Sequence, residues 1–521
     1  MERAKAMYLT QMIHRNLQQM PDTVAIIDGD DSWTWRSFTD RVARLAGALQ
    51  GIGMQPGDRV ALLARNGHAF LEYLFGTLWG GGVINPVNIR WSAAEMGYSL
   101  ENCDTRILIV DAAFAAMVPA IREAAPGLKQ VIAIDVAVDG ALDYESVLAA
   151  ADPVPDALRA DDDLAAVLYT GGTTGFPKGV MLSHRNLMSS ALGALATEEA
   201  RSGERYLHCA PLFHVGALSG LFLSMLSGST HVMVPGFEPE STLAVMERER
   251  VTDFFMVPTM IRMLIDHPRF AGMDMGQVRN IRYGASSIDD ALLDRALTAF
   301  PNARFSQAYG MTELSPICTA LSPADHSVEA RAQGRGRSAG RATLVVELRI
   351  VDGEDSEVPR GTVGEICARG STVMLGYWGM PDATAEALRG GWMHTGDMGW
   401  MDDQGYVTVV DRMKDVIITG GENVYSAEVE RALSTHPAVG QVAVIALPCP
   451  RFGEQVHAVV VLREGAMADM ADMQDHVRAR IAGYKVPRGF SFVHSLPLSA
   501  AGKVLKNVLR EQMQRAMAEQ G

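Results

Sequence analysis

One lysine, three threonine hydroxyls and four glycines fall within the stretch Tyr169-Thr-Gly-Gly-Thr-Thr-Gly-Phe-Pro-Lys-Gly179. That composition describes a loop that wraps phosphates. Glycines at 171, 172, 175 and 179 let backbone N–H groups approach an oxyanion closely, the hydroxyls of Thr170, Thr173 and Thr174 donate to it, and Lys178 brings positive charge. It is not a Walker A loop, which needs Gly-Lys-Ser/Thr opening a helix; here Pro177 precedes the lysine and Gly179 follows it. A Gly/Thr-rich surface turn is the plainer reading of the same letters taken alone.

Other residues able to do chemistry are scattered. They include His214 in Pro211-Leu-Phe-His-Val, Glu313 at the end of Ser306-Gln-Ala-Tyr-Gly-Met-Thr-Glu, and Asp397 closing Trp392-Met-His-Thr-Gly-Asp. Further on lie the charged run Asp411-Arg-Met-Lys-Asp415 and the pair Gly502-Lys503. Each has a bland reading by itself. A histidine after a strand is more often structural than catalytic, and a lone Glu, a charged pentad or a lysine near a terminus is normally solvated.

The elements that must hold these residues begin in the first 150 positions, which alternate between short apolar runs and helical segments. Val60–Ala64, Val83–Pro86, Arg106–Val110 and Val131–Ile134 read as strands, with helices over His68–Thr77 and Ala112–Ala125 between them. Strand, helix, strand at this spacing predicts a parallel α/β sheet. Tyr8 to Leu49 reads as mainly helical, with a short strand at Ser32–Trp35. Leu164–Leu168 delivers the chain to the phosphate loop, Ser183-His-Arg-Asn186 enters a helix, and Tyr206–Ala210 is a strand leading to His214. Between Gly340 and Trp400 the runs shorten and fill with glycine, including Gly376-Tyr-Trp378, which predicts a small antiparallel β region. After residue 411 come a loop over Val416–Tyr425, a helix from Ser426 capped by that serine, and the order strand, strand, helix, strand.

The motifs together resemble the adenylate-forming superfamily of acyl-CoA synthetases, luciferases and adenylation domains, and among these bacterial fatty-acyl-CoA synthetases most. The resemblance runs from about Leu9 to Gln512. It implies an α/β fold with a large N-terminal domain of stacked, mainly parallel sheets plus a small β region, residues 1–411, and a small mobile C-terminal α/β domain, residues 412–521, hinged near Lys414. It implies ATP, Mg²⁺ and coenzyme A as cofactors and co-substrates. For catalysis it points to Lys178, His214, Glu313 and Lys503. For the nucleotide and CoA it points to Thr170, Gly171, Gly172, Thr173, Thr174, Gly175, Lys178, Ala285, Gln307, Ala308, Tyr309, Thr312, Asp397, Arg412, Lys414, Gly420, Gly421 and Asn423, and for Mg²⁺ to Glu313 with Thr174. The acid pocket would be lined by His214, Val215, Gly216, Ala217, Ser219, Tyr283, Gly284, Gly310 and Met311. Small residues at Gly216, Ala217, Ser219 and Gly220 suggest an open, deep pocket. Two positions depart from the family pattern, Gly171 in place of Ser and Cys449 in place of Asp.

Composition bounds what else is expected. A chain of 521 residues exceeds one core and predicts two or three domains. A net charge of −15 disfavours a polyanionic partner, so nucleic acid is not expected. The apolar stretch Leu218–Leu226 is too short to span a bilayer, and Met1–Met20 lacks an apolar signal core, which together predict a cytoplasmic protein. Five cysteines without Cys-x-x-Cys or histidines at zinc spacing predict reduced, mostly buried thiols. The function the resemblance implies is that of an AMP-forming acid–thiol ligase that joins a carboxylic acid to CoA. No Asp or Arg sits among the pocket candidates, which favours an aliphatic or aryl monocarboxylate over an amino acid. The rivals are loading of a carrier protein, a luciferase-like oxygenase and an inactive nucleotide-binding scaffold. A homodimer is allowed for.

Overall fold

Runs such as Arg59–Leu63 and Ile107–Asp111 are buried almost throughout, as strands covered by helices on both faces must be. In the computed structural model, which describes residues 6–170, 177–198, 204–498 and 504–520, these runs pair in parallel. The chain divides into two compact units. The first comprises Met1–Leu348 with Ala368–Met393, and the second Arg349–Cys367 with His394–Gly521.

The first unit holds two large sheets. One has eight strands, ordered Gly376–Tyr377, Lys178–Ser183, Leu164–Thr170, Val83–Pro86, Arg59–Leu63, Ile107–Asp111, Gln130–Ile134 and Leu142–Asp143. The other has nine, ordered Arg341–Ala342, Ile317–Leu321, Arg304–Gly310, Asn280–Gly284, Asp253–Met256, Arg205–His208, Thr230–Met233, Val24–Asp28 and Asp31–Thr34. Its core is a cluster that includes Phe254, Phe300, Phe305, Tyr283 and Met246, all essentially without exposure. Helices start where side chains can meet their first N–H groups. Thr34 caps Trp35–Gly51, and Ser92 and Glu95 form a reciprocal box at Ala93–Asn102. Ser183 and Asn186 exchange bonds in the same manner at the start of His184–Glu198.

A four-stranded sheet, ordered Val346–Val351, Gly364–Gly370, Met393–Met401 and Val407–Arg412 with its last two strands antiparallel, carries the expected small β region. The rest of the second unit is a sheet ordered Glu422–Val424, Ile417–Thr419, Gly453–Leu462 and Val439–Cys449, with Gly489–Phe492 added in parallel. Val429, Leu433, Val444, Val460, Met473 and Val477 fill the core beneath it.

Four sequence expectations are corrected. Val24–Asp28, inside the stretch that reads as mainly helical, is a strand that pairs in parallel with Thr230–Met233. Gly376–Tyr377 belongs to the eight-stranded sheet, against Lys178–Ser183, and not to the small β region. The loop over Val416–Tyr425 is a hairpin in which Gly420 and Gly421, at φ 62° and 86°, make the two-residue turn that suits the strand twist. Ser426 is the first residue of its helix and not its cap; the cap position is Tyr425, whose side chain accepts nothing.

All five cysteines are free, and four of them are buried. Sequence spacing offers them no histidine, but the fold sets Cys367 Sγ 3.3 Å from His394 Nδ1, which also lies 2.8 Å from Glu365 Oε2. Among the described residues no helix is long and apolar enough to cross a membrane.

Candidate active site

The phosphate loop joins two antiparallel strands. In these flanking strands, Leu164–Thr170 and Lys178–Ser183, Thr170 stands opposite Lys178 and Tyr169 opposite Gly179. Gly171, Gly172, Thr173, Thr174 and Gly175 lie outside the described residues, as does Lys503. At the foot of the hairpin Lys178 Nζ stands 4.7 Å from the ring centroid of Tyr377. The Tyr377 hydroxyl donates to Glu313 Oε1 at 2.8 Å. Burial first, and then the Glu313 carboxylate, push ionisation of this phenol upward, which leaves it a donor.

Parallel strands place their carboxyl ends along one sheet edge, where α/β folds bind ligands. In the nine-stranded sheet the neighbours Arg205–His208, Asp253–Met256, Asn280–Gly284 and Arg304–Gly310 all run in parallel. Their ends bring several expected residues to one edge. His214 closes the turn after the first strand, its backbone N–H donating to the Pro211 carbonyl, and is the N-cap of the helix Val215–Ser227. Gly284 registers with Ala308, and Tyr283 with Gln307. Ala285 follows in the left-handed region at φ 66° and is exposed, a strained setting for a residue with a side chain.

Past this edge Gln307, Ala308 and Tyr309 are half-exposed on their strand. Gly310 is needed where it is, because a Cβ there would lie 1.8 Å from the Pro316 carbonyl oxygen. Met311 and Thr312 then lead into a short 3-10 turn in which Glu313 is buried. Glu313 is tied down twice, by the phenol at its carboxylate and by the Met374 N–H at its carbonyl, 2.9 Å.

The acid-pocket candidates divide. His214, Val215, Gly216 and Ser219 are half-exposed, and Ala217 is buried, on or beside the first turns of one helix. Gly216 faces the ring of Phe255, which a Cβ at that glycine would meet at 3.7 Å. Tyr283 does not line a pocket: its side chain has no exposure, lies in the core cluster, and its hydroxyl meets His326 Nε2 at 2.9 Å. Gly220 does not open space either. A Cβ at that position would stand 2.3 Å from the Tyr206 hydroxyl, so the room it leaves is filled by the neighbouring strand.

The remaining expected residues lie in the second unit. Asp397 is buried, registers with Arg412 across two antiparallel strands, and accepts from Arg412 Nε at 3.1 Å. Lys414 follows in a single 3-10 turn; burial, with Arg412 adding to it, lowers its pKa. Gly420 and Gly421 turn the hairpin, and Asn423 registers opposite Ile418. Between them sits a group that sequence reasoning misses. Asp411 Oδ2 accepts from the Ser426 N–H, the Ser426 hydroxyl at 2.6 Å and the Ala427 N–H at 3.3 Å, thereby capping a helix that begins fifteen residues later. Lys506 Nζ donates to the same hydroxyl at 2.6 Å and pairs with Glu430 at 2.8 Å.

Tyr377, Phe255 and Asp411 carry no motif of their own. Tyr377 stands in a recognisable Gly-Tyr-Trp run, yet only the pairing of its strand with Lys178–Ser183 reveals its neighbours.

Comparison with known proteins gives the family. A match to the family described as AMP-binding enzyme spans residues 13–378, and one to the AMP-binding enzyme C-terminal domain spans 428–503. The chain is 40% identical to a feruloyl-CoA synthase from Amycolatopsis sp, covering 96% of this chain and 97% of that one. It is 35% identical to ScoC of Streptomyces coeruleorubidus, a fatty acid–[acyl-carrier-protein] ligase, over 97% of this chain and 96% of the other. A crystal structure of the anthranilate CoA ligase AuaEII with anthranoyl-AMP superposes with a TM-score of 0.91 at 26% identity, covering 99% of this chain and 100% of that one. With a family match across most of its length, the chain belongs to the AMP-binding enzyme family.

Proposed function

We propose that the chain activates an aliphatic or aryl monocarboxylic acid as its acyl-AMP and passes the acyl group to CoA. The protein is an ATP-dependent, AMP-forming acid–thiol ligase of the acyl-CoA synthetase class. The single observation that carries the detailed reading is the meeting of Lys178 with Glu313, through Tyr377, at the foot of the glycine- and threonine-rich loop.

In the first step a carboxylate oxygen attacks the α-phosphorus of ATP, the bond to the bridging oxygen breaks, and pyrophosphate leaves. Lys178, Thr173 and Thr174 hold the departing phosphates, and Lys503 neutralises charge on the carboxylate and α-phosphate. Buried Glu313 offers a hard oxygen ligand suited to Mg²⁺; with Thr174 it would hold that ion, which supplies charge neutralisation on the triphosphate. Tyr309 packs on adenine, Gln307, Ala308 and Thr312 line the nucleotide, and Asp397 with Arg412 takes the ribose hydroxyls, two O–H donors on a carboxylate. In the second step the CoA thiol attacks the acyl carbon and AMP leaves. A C-terminal domain beginning at residue 412 turns about Lys414 between the steps, withdrawing Lys503 and presenting Gly420, Gly421 and Asn423 to the pantetheine.

Loading of a carrier protein is the second reading, favoured by the similarity to ScoC. Both are tested by measuring pyrophosphate and AMP release with Mg·ATP across short, medium, long and aryl acids, with and without CoA. CoA-dependent turnover of one acid class supports the ligase; pyrophosphate release without thioester supports the carrier. Lys503→Ala is expected to lose adenylation while converting supplied acyl-AMP to acyl-CoA, and equal loss of both steps would refute the division of labour.

A further inference from the structure

Three side chains from three distant stretches of the first unit meet in a row. The Lys178 ammonium stands over one face of the Tyr377 ring, and the hydroxyl at the far end of that ring donates to Glu313. The residues carrying Tyr377 are sewn to both partners. The Trp378 N–H donates to the Gly179 carbonyl at 2.7 Å and the Leu375 N–H to that of Met181 at 2.9 Å, on the lysine side. On the other side the Met374 N–H donates to the Glu313 carbonyl at 2.9 Å. Thr384 Oγ1 accepts from the Tyr377 N–H at 2.9 Å, and the Asn186 amide donates to the carbonyls of Ser371 and Val373. A two-residue strand has little stability of its own, so this many attachments fix one side chain in place.

We propose that Tyr377 is a positioning residue for ATP activation: its ring steers the Lys178 ammonium and its hydroxyl orients the Glu313 carboxylate before the triphosphate arrives. Lys178 and Glu313 each contact the Tyr377 side chain, so one residue touches both charged groups. The phenol separates them while binding each through a different part of its surface, the negative ring face for the cation and the O–H for the carboxylate. The proposal rests on reading Lys178 and Glu313 as the triphosphate and Mg²⁺ residues.

Two variants of the full chain separate the contributions. Tyr377→Phe keeps the ring and removes the hydroxyl; Tyr377→Leu removes both. Each is followed by pyrophosphate release against ATP and Mg²⁺ concentration, by ATP binding without acid, by thioester formation from supplied acyl-AMP, and by melting temperature. Tyr377→Phe is expected to raise the half-saturating Mg²⁺ or the KM for ATP about tenfold, the scale of one lost hydrogen bond to a charged group. Thioester formation from acyl-AMP, which uses no triphosphate, is expected to stay near wild type. Tyr377→Leu is expected to weaken ATP binding further. Wild-type ATP and Mg²⁺ dependence in Tyr377→Phe overturns the proposal, and so does an equal loss of both half-reactions with a lowered melting temperature, the mark of a packing role alone. The underlying reading fails separately: it is overturned if Lys178→Ala and Glu313→Gln keep wild-type ATP dependence, or if the wild-type chain neither binds ATP nor releases pyrophosphate.

Discussion

Asp411→Asn is expected to loosen the helix Ser426–Ser434 from its first turn. The carboxylate accepts on both oxygens, Oδ1 from the Arg412 N–H at 2.8 Å and Oδ2 from the two N–H groups and one hydroxyl of Ser426 and Ala427. An asparagine has one acceptor oxygen, so whichever way it turns, its NH₂ faces at least one buried N–H. Leaving that donor unmet costs about 1–3 kcal/mol, and loss of negative charge beside a helix N-terminus adds about 0.5–1 kcal/mol. The sum, about 1.5–4 kcal/mol, corresponds to amide exchange roughly 10-fold to 1,000-fold faster where opening of this helix limits protection. Ser426→Ala removes one hydroxyl and leaves both N–H bonds, so a loss of about 1 kcal/mol is expected. Hydrogen exchange of a peptide covering 426–434 reads both. Exchange in Asp411→Asn indistinguishable from wild type would refute the capping argument.

Glu72→Ala is expected to destabilise the first unit by about 3–5 kcal/mol in urea unfolding, because the fully buried Glu72 pairs with Arg41 at 2.5 Å and accepts from the Tyr144 hydroxyl at 2.8 Å. Gly220→Ala is expected to cost about 1–3 kcal/mol by displacing the Tyr206 hydroxyl, with partial recovery in the double variant carrying Tyr206→Phe; no recovery would place the strain elsewhere. The buried pair His208–His231, 2.9 Å apart, has both pKa values lowered, chiefly by burial. The folded state therefore binds fewer protons than the unfolded one below the ordinary histidine value. Stability should be full above about pH 6.5 and fall as pH drops below it, and His231→Phe should flatten that fall between about pH 7 and 5.

Much of the fold is legible because each buried strand is a short apolar run and each loop at the sheet edge carries its own motif. Val60–Ala64 and Arg106–Val110 lie within a residue or two of the strands observed. Val24–Asp28 is not legible, since five residues between helical patterns show no period, and their strand character comes from pairing with a stretch some two hundred residues away. The same limit explains the pocket. Gly220 reads as empty space in sequence because the group that fills it, the Tyr206 hydroxyl, arrives from a neighbouring strand. Tyr283 lies in a strand buried at all five positions, and its place in the core follows from the cluster around Phe254 and Phe300, which is assembled from distant stretches. Asp411 shows in the sequence only as one charge in a polar turn, since capping across fifteen residues leaves no local signature.

The two large sheets divide the residues in a way that bears on how such a chain diversifies. The hairpin with Lys178, and the strand with Tyr377 beside it, belong to the eight-stranded sheet, whereas His214, Gly216 and Phe255 belong to the nine-stranded one or the turn and helix that follow its strands. If the acid pocket lies where we propose, mutational drift in the helix Val215–Ser227 or the strand Asp253–Met256 reshapes what is accepted without unpicking the attachments around Lys178. On that proposal, a directed-evolution library confined to residues 215–219 and 255 is expected to sample substrate preference while leaving the residues around Lys178 constant. One that reaches Gly376–Trp378 risks the shared machinery for no gain in selectivity.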